Sequence, residues 1–456
     1  MLFRATPIAA FVLAGALALA VSPAGAHSKP VVQCGQTLTQ SVKLTKDLVN
    51  CPGNGLVIGA DGITVDLNGH TIDGLVTQTD CPQGPPEPGA GILNYGAYDG
   101  VTIKNGTVQQ FNNGVSGGSD TNGMSDSRVH HLTVRDNRFG GISLGSGGPA
   151  ATTANNRIDH NLVSRASCGA GIDLNTGQAN HITDNRVKDS GGIVVCCGEA
   201  TDGNLVARNW VSGGQGFGIL VFFSGNSRVV ENRLSEVDEG ILISGASSHA
   251  LVKDNAIVRA QGAGVVVEAC CDEESDVPTD VRIIDNTFTK LADGVILFET
   301  DRPVIRGNSV IGAGTFGDPE AFGFGIVLDG VSDALVHRNL VAGGKGPGIA
   351  IGAPEFNPSS RPLADNVIAG NTVSRHGGDG ISVDATAENT SLERNDANRN
   401  GADGIHVMSP STTITRNSAN RNGNYGIEAV PGATDGGGNQ ARGNGNPAQC
   451  IGVACN

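Results

Sequence analysis

Short hydrophobic segments recur along this chain at a nearly constant interval, and two small motifs mark them. One motif is glycine followed by Ile or Val, as in GISL, GILV, GILI, GVVV and GIHV. The other is an asparagine after a β-prone run, with successive copies 22–24 or 31–32 residues apart. The asparagines are Asn105, Asn137, Asn161, Asn185, Asn209, Asn232, Asn255, Asn286, Asn308, Asn339, Asn371, Asn395 and Asn417. Such a period predicts repeated units of two or three short strands.

A unit of this length cannot bury its apolar side alone, so the units must stack on one another. Stacking at ~4.8 Å would align equivalent residues in columns along one axis. We expect the asparagines to lie in a turn that needs one left-handed residue, with their amides hydrogen-bonded from coil to coil. We expect the glycine before each strand to serve a second left-handed corner. The inward-facing columns would then include Ile193, Ile219, Ile241, Val265, Val295 and Ile326.

The predicted fold is all-β: a right-handed parallel β-helix of about thirteen coils. Leucine-rich repeats have a similar period, but leucine is sparse at the positions that they require. A propeller blade needs about forty residues per unit, and a helical solenoid needs long glycine-free runs. Neither pattern is found in the sequence.

The segment CGQTLTQSVKLTKDLVNCPGNGLVIGADGITVDLNGHTIDG, together with the repeats that follow it, resembles a known group of proteins. These are the exported right-handed β-helix proteins of the pectin-lyase-like superfold, which include a periplasmic type associated with copper and nitrous oxide reductase maturation. The resemblance covers nearly all of residues 34–427 and implies the fold. It leaves function open, because that superfold contains lyases, hydrolases, epimerases, adhesins and coat proteins.

The amino terminus has the features of an export signal. Arg4 precedes an apolar stretch at 9–21, and the motif AGA at 24–26 is a cleavage pattern. We therefore expect a secreted protein, periplasmic or extracellular, whose sequence contains no membrane-inserting segment. The predicted division is a signal peptide at 1–26, an N-terminal cap at 27–55, the β-helix at 56–430 and a C-terminal cap at 431–456.

Ten cysteines in an exported chain favour disulfides. Their positions predict one bridge from Cys34 to Cys51 and another from Cys450 to Cys455, each closing one end of the stack. The other six could pair in several ways: they are Cys81, Cys168, Cys196, Cys197, Cys270 and Cys271. No CxxC spacing supports a thiolate metal site among them.

The formal net charge of −15 argues against nucleic acid and anionic membranes as partners. It also disfavours a bare polyanion unless a cation bridges the two.

Longer intervals indicate loops that bulge from the stack and form the rims of a groove. Three insertions follow their Gly-Ile strand, at 116–128, 269–279 and 352–362, and a fourth, at 312–324, precedes its strand. Between them, the outward positions after Ile or Val are apolar, which indicates that something covers or binds this face.

Four carboxylates near this groove are the candidate catalytic groups: Glu268, Glu299, Asp301 and Asp329. Glu268 and Asp329 are expected two coils, or ~9.6 Å, apart. This separation is at the upper end of the range for the acid and base of an inverting glycosidase. Phe222, Phe298 and Asp384 are the candidate substrate-binding residues. The alternative is that an acidic repeat protein scatters carboxylates over its surface.

Asp272, Glu273 and Asp276 offer the hard oxygen ligands that Ca²⁺ prefers, although the loop lacks EF-hand spacing and a solvated acidic loop is the alternative. The sequence thus favours a β-helix protein that binds, and in one version cleaves, a polysaccharide or cell-surface glycan in its groove. A noncatalytic adhesion scaffold is the main alternative. Metal handling is less supported, because methionines are few and no histidine-rich tract is present.

Overall fold

Each coil of the chain contributes short strands that pair in parallel with those of the next coil. The computed structural model describes residues 31–77, 81, 89–119, 122–145, 153–197, 202–270, 274–317, 320–352 and 359–456. Met1–Val32 form one unit and Gln33–Asn456 another, and all that follows concerns the second.

The first strand of each coil belongs to one long sheet, here called the front sheet. Its strands, in spatial order, are Gln36–Leu38, Leu56–Ile58, Ala90–Asn94, Asn113–Gly117, Gly140–Leu144, Ile172–Asn175, Ile193–Cys196, Phe217–Phe222, Glu239–Ser244, Ala263–Glu268, Asp293–Phe298, Ile326–Asp329, Ile349–Ile351, Ile381–Val383, Ile405–Val407, Ile427–Ala429 and Cys450–Ile451.

The second strand of each coil builds the second sheet. Its strands are Val42–Lys43, Thr64–Asp66, Thr102–Gln109, Arg128–Arg135, Arg157–Asp159, His181–Thr183, Leu205–Ala207, Arg228–Val230, Leu251–Lys253, Arg282–Ile284, Val304–Arg306, Leu335–His337, Val367–Ala369, Ser391–Glu393, Thr413–Thr415 and Thr434–Gly437.

The last strand of each coil builds the third sheet, which the two eight-residue strands Thr102–Gln109 and Arg128–Arg135 also join. Its other strands are Thr71–Asp73, Leu162–Ser164, Arg186–Lys188, Trp210–Ser212, Arg233–Ser235, Ala256–Val258, Thr287–Leu291, Ser309–Ala313, Leu340–Ala342, Thr372–Ser374 and Asp396–Asn398. A small pair, Thr153–Ala154 with Gly177–Gln178, and a 3₁₀ helix at Glu274–Asp276 complete the described elements.

The core fills the space enclosed by the three sheets, as the repeat predicts. The predicted inward residues of the front sheet, such as Ile193, Ile219 and Val265, are 0% exposed. Alternation on each strand sends the next residue outward. The parallel β-helix predicted from the sequence is therefore confirmed.

Buried asparagine side chains connect the coils between the second and third sheets. The Asn255 amide donates to Val229 O at 2.8 Å and to Asn286 Oδ1 at 3.0 Å, and its Oδ1 accepts from Asn232 Nδ2 at 3.0 Å. The same bonds continue through Asn161, Asn185, Asn209, Asn232, Asn255, Asn286, Asn308, Asn339, Asn371, Asn395, Asn417 and Asn439. We call this column the asparagine ladder.

Two of the sequence-predicted asparagines lie outside the ladder. Asn105 occupies the left-handed position itself, with φ of 62°, whereas in later coils the residue before the ladder asparagine adopts that conformation, as Asp184 does. Asn137 lies in the next turn, where its Oδ1 accepts the Phe111 N–H. The reason is local: the long strands Thr102–Gln109 and Arg128–Arg135 run through the corner that later coils turn at.

The glycines before the front-sheet strands have a different role from the predicted one. Of this set Gly192 has a positive φ, but Gly240, Gly264 and Gly294 do not. A Cβ at Gly240 would overlap the carbonyl oxygen of Gly264 in the next coil, and one at Gly294 would overlap that of Gly325. The left-handed interpretation is therefore wrong for most of these glycines, which are needed for close approach between coils.

Both predicted terminal disulfides are present, Cys34–Cys51 and Cys450–Cys455. The six remaining cysteines include one long-range bridge, Cys81–Cys168, and one between the neighbours Cys196 and Cys197. Cys270 is disulfide-bonded as well, and Cys271 lies outside the described residues. Parallel pairing reaches the strands beside both terminal bridges.

Replacing Asn255 by alanine tests the asparagine ladder. The variant leaves the Val229 carbonyl and the Asn232 amide without their buried partners, so we expect unfolding to become easier by about 2–4 kcal/mol. Urea denaturation measures the change. The exposed Thr287→Ala in the adjacent coil should shift stability by less than about 0.5 kcal/mol. Equal effects of the two substitutions would contradict a structural role of the ladder.

Candidate functional site

The outward residues of the front sheet form the column that the sequence predicts. Strand pairing aligns, in order, Asp173, Val194, Leu220, Leu242, Val266, Ile296, Val327, Ala350, Ser382, His406 and Glu428. We call it the outer column. Side chains that are neighbours in this column belong to adjacent coils. A functional site on this face therefore consists of residues about two dozen positions apart in the sequence.

The apolar middle of the outer column is covered by the chain itself. Val327 and Ala350 are 0% and 1% exposed, and they pack with Ile296 and with Phe324 from the end of the fourth insertion. Phe298, a predicted substrate-binding residue, packs against the same cluster. This apolar segment is therefore a small second core in the structure. The groove floor is open to solvent mainly on either side of it.

Three predicted residues meet where the front-sheet strand Ile326–Asp329 ends. Asp329 is 6% exposed, and its Oδ2 has no hydrogen-bond partner among the described residues. Burial raises the pKa of Asp329, and the nearby carboxylates of Glu299 and Asp384 raise it further, while the Ser359 and Gly330 amides lower it. Asp384 also accepts the Thr386 hydroxyl at 2.7 Å. Asp329, Glu299 and Asp384 are here called the Asp329 cluster. The raised pKa of Asp329 favours its protonated form.

A rim segment binds two of the predicted carboxylates, Glu299 and Asp301. The Ser359 hydroxyl donates to Glu299 Oε1 at 2.7 Å, and the Arg361 guanidinium pairs with Asp301 at 3.0 Å. The Asp301 carboxylate is therefore already engaged in an ion pair. Glu299 keeps one carboxylate oxygen for other partners, since the Ser359 bond uses only Oε1.

Glu268 lies apart from this cluster. Its strand position is aligned with Ser244, and pairing of Val267 with Leu297 places it two coils from Asp329, or ~9.6 Å. Burial raises the pKa of Glu268, and a hydrogen bond with Ser244 lowers it. Phe222 lies further along the same side, in edge contact with Phe223 at 4.5 Å between ring centroids.

The predicted calcium loop is only partly described. Asp272 and Glu273 lie outside the described residues. Asp276 ends the 3₁₀ helix and accepts the Ser275 hydroxyl at 3.3 Å. The calcium site therefore stays a prediction.

A second carboxylate column lies at the corner just before the front-sheet strands. Each of these side chains accepts a backbone N–H from the next coil at 2.7–2.8 Å: Glu239 from Ala263, Asp293 from Phe324, Asp379 from Asp403, and Asp403 from Tyr425. Burial raises the pKa of Glu239 to about 7 and also raises that of Asp293. These acids serve first as coil-to-coil links.

In the last coils this corner column meets the outer column and forms a metal-ligand cluster. One ligand atom from each of Asp379, Asp403 and His406 lies within 4.8 Å of the others, the one such group among the residues that the structure describes. His406 Nδ1 is 3.3 Å from Asp379 Oδ2. We call the three residues the Asp-Asp-His cluster. Glu428, next to His406 in the outer column, also contacts Asp403.

The electrostatics of this cluster suit a cation. Burial raises the pKa of Asp403 to about 6, and the negative charges of Asp379 and Glu428 add to the effect. The hydrogen bond that the imidazole donates to Asp379 raises the pKa of His406, and the surrounding carboxylates act in the same direction. A bound metal ion would neutralise the mutual repulsion of the acids. It would also take the place of the imidazole proton.

Sequence reasoning missed this cluster although it contained the signal. His406 and Glu428 stand in the outer column, and the acids occupy the position before glycine in two successive repeats, DGISV and DGIHV. The Gly-Ile motif begins at the glycine, so the preceding position lies outside the motif. A repeated Asp at a fixed place in adjacent coils predicts two carboxylates about one coil rise apart.

One imidazole nitrogen and carboxylate oxygens form a donor set of intermediate hardness. Such a set binds Cu²⁺ most tightly among divalent first-row metals. Cuprous ion prefers thiolate and thioether sulfur, which the disulfide-bonded cysteines do not offer as thiolates. Met408, two residues beyond His406, is the nearest thioether along the sequence.

These features define a right-handed parallel β-helix protein whose front face carries a cluster of side chains that could hold a metal ion. The profile of the family described as periplasmic copper-binding protein (NosD) matches residues 68–262 and 211–360, and that of the right-handed β-helix region matches 360–445. The chain therefore belongs to the NosD family. The disulfides agree with a periplasmic or extracellular location. No helix among the described residues is long and apolar enough to cross a membrane.

Solved β-helix structures resemble the chain at low sequence identity. The periplasmic alginate epimerase AlgG shares 13% identity at a TM-score of 0.40, over 74% of this chain and 76% of that one. The Azotobacter vinelandii mannuronan C-5 epimerase AlgE6 A-module shares 13% at 0.38, over 93% and 91%. The Streptococcus pneumoniae surface adhesin PfbA shares 12% at 0.39, over 79% and 84%. No curated protein matches the sequence. Similarity at this level carries no information on function.

Asp329→Asn tests the electrostatics of the Asp329 cluster. Because the folded-state pKa is raised, the wild-type carboxyl favours folding below its unfolded-state pKa and loses that contribution as pH rises through the folded value. The variant should therefore gain stability relative to wild type between pH 4 and pH 8, by about 1 kcal/mol. Urea denaturation at both pH values measures the gain. The exposed Asp333→Asn is the matched control, and an equal trend in both variants would contradict the cluster.

Proposed function

We propose that this protein binds a divalent copper ion at the Asp-Asp-His cluster on the last coils of its front sheet. The observation that carries the proposal is the approach of the three ligand atoms to within 4.8 Å of one another. Membership of a family described as copper-binding supports the choice of metal.

The position of the cluster supports binding from solution. His406 and Asp379 are half-buried, with side chains 31% and 17% exposed, whereas Asp403 is 4% exposed. Asp403 and Asp379 are held in place by the backbone amides that they bind in the next coil. The ligands are thus oriented by the stack before a metal arrives, which lowers the entropic cost of binding.

Substitution of His406 tests the site. Loss of the imidazole donor should weaken Cu²⁺ binding by at least about tenfold in His406→Gln, since removal even of a residue that only orients a ligand typically costs about 10–100-fold in metal affinity. Calorimetric titration of the untagged protein measures affinity, and electron paramagnetic resonance shows whether nitrogen is coordinated. Asp403→Asn, which keeps the acceptor for the Tyr425 amide, should also weaken binding.

Two controls make the result specific. His181→Gln makes the same change at an exposed histidine of the second sheet and should leave affinity unchanged. All proteins carry His27→Ala, because cleavage at the predicted site would leave an amino-terminal histidine that binds copper by itself. Affinity should rise from pH 5 to pH 7.5 as Asp403 and His406 lose protons. Equal binding by wild type and His406→Gln contradicts the proposal.

A second candidate function is glycan binding and cleavage at the Asp329 cluster. It is favoured by the unpartnered, buried Oδ2 of Asp329, whose raised pKa suits a general acid. Glu299, beside it, is the candidate base, and Glu268 is the more distant carboxylate of the predicted pair. A polysaccharide along the front face would contact both.

Depolymerisation of a panel of neutral and acidic glycans, with and without Ca²⁺, tests this candidate. Asp329→Asn should lower cleavage by about a hundredfold or more, as loss of a general acid does, and Glu299→Gln and Glu268→Gln are compared with it. The exposed Asp333→Asn is the matched control. Full activity of the Asp329 variant, or no product from any glycan, contradicts cleavage, and the second result favours a noncatalytic scaffold.

A further inference from the structure

One turn column, between the third and front sheets, carries charged residues at successive left-handed positions. In the early and middle coils, two arginines of this column each form an ion pair with a carboxylate of the neighbouring coil. Arg165 pairs with Asp136 at 2.5 Å, and Arg259 pairs with Glu236 at 2.5 Å. These two arginines thus have a carboxylate partner one coil away, whereas Lys290, which follows Arg259 in the column, adjoins a like charge.

In the last coils the arginines have no carboxylate neighbour in this column. The same column holds Arg375, Arg399 and Arg421, because Ser374 is aligned with Asn398 and the Arg399 N–H donates to Asn420 O in the next coil. Arg375, Arg399 and Arg421 all have left-handed φ values, as Arg165 and Arg259 do. Three arginine residues therefore succeed one another, with their backbones at the coil rise of ~4.8 Å.

No carboxylate neutralises this run within the part of the chain that the structure describes. Arg399 and Arg421 are exposed and form no side-chain ion pair there. Stacked like charges repel one another. The chain has a net charge of −15 and is rich in acidic residues, yet none of those described is paired with these arginines. The absence of acidic partners from this turn leaves room for an external anion.

Arg399 and Arg421 line a groove on the surface. Its volume is 430 Å³, within the range of ~300–1,000 Å³ usual for ligand sites. It is lined by Asn398, Arg399, Asn420, Arg421, Gln440 and Arg442. The Asn398 and Asn420 side chains are in adjacent coils, and Arg442 takes the equivalent position in the coil after them, since the Arg421 N–H donates to its carbonyl oxygen at 3.0 Å.

We propose that this arginine groove binds a linear anionic polysaccharide whose carboxylate or sulfate groups recur about once per sugar ring. Guanidinium groups at the coil spacing form charge-assisted hydrogen bonds with the oxyanions, and the amides between them pair with hydroxyl groups. The net negative charge of the protein disfavours densely charged polymers such as polyphosphate. The groove is distinct from both the Asp-Asp-His and the Asp329 clusters, so the proposal stands independently of them.

Binding of hexagalacturonate to the full chain tests the proposal, with a sulfated glycan, maltohexaose and polyphosphate as parallel probes. We expect the uronate or the sulfated glycan to bind, with affinity that falls as salt is added. The double variant Arg399→Gln/Arg421→Gln should bind at least about tenfold more weakly, because two charge-assisted contacts are lost. Calorimetry or affinity electrophoresis measures the change.

The matched control is Arg165→Gln/Arg259→Gln, which removes the same charge from the same column at arginines that have carboxylate partners. It should bind like wild type, and Cu²⁺ affinity should be unchanged in both double variants. Equal losses in the two double variants would reduce the effect to net charge and overturn the proposal. Absence of binding to both acidic glycans, or a preference for polyphosphate, would overturn it as well.

Discussion

The fold depends on satisfying polar groups that the stack buries at its turns. An asparagine amide in the interior costs free energy unless its donors and acceptors are all paired. In this protein Asn255 bonds to a carbonyl of the preceding coil and to the amides of its neighbours in the ladder. The same side chains therefore fix the register of successive coils from Asn161 to Asn439, and register decides which side chains meet on the surface.

Register gives each surface column its own chemistry. At the turn before the front sheet, opposite charges neutralise one another in the early coils, and arginines follow one another in the last coils. On the front face, an apolar stretch is closed by Phe324, while Asp403 and His406 converge with Asp379 further along. Both proposed ligand sites lie in the last coils, where no long insertion covers the stack.

The sequence was sufficient for the fold and for the outer column, because the positions of Asn and Gly-Ile repeat so regularly. It was insufficient where a residue's role depends on the adjacent coil. Close approach of Gly240 to the Gly264 carbonyl, and cover of Val327 by an insertion, depend on contacts between coils that no single repeat encodes. The Asp329 cluster was partly predicted. The Asp-Asp-His cluster was missed because Asp379 and Asp403 precede the Gly-Ile motif that marks each front-sheet strand.

The proposed copper site depends on the stacked register that brings Asp379, Asp403 and His406 together. Anomalous diffraction at the copper absorption edge, from crystals grown with Cu²⁺, tests it most directly. We expect a strong peak within bonding distance of the His406 imidazole and both carboxylates, roughly 2.0–2.5 Å for such ligands. A crystal whose copper peaks all lie elsewhere, with these three side chains unliganded, would contradict it.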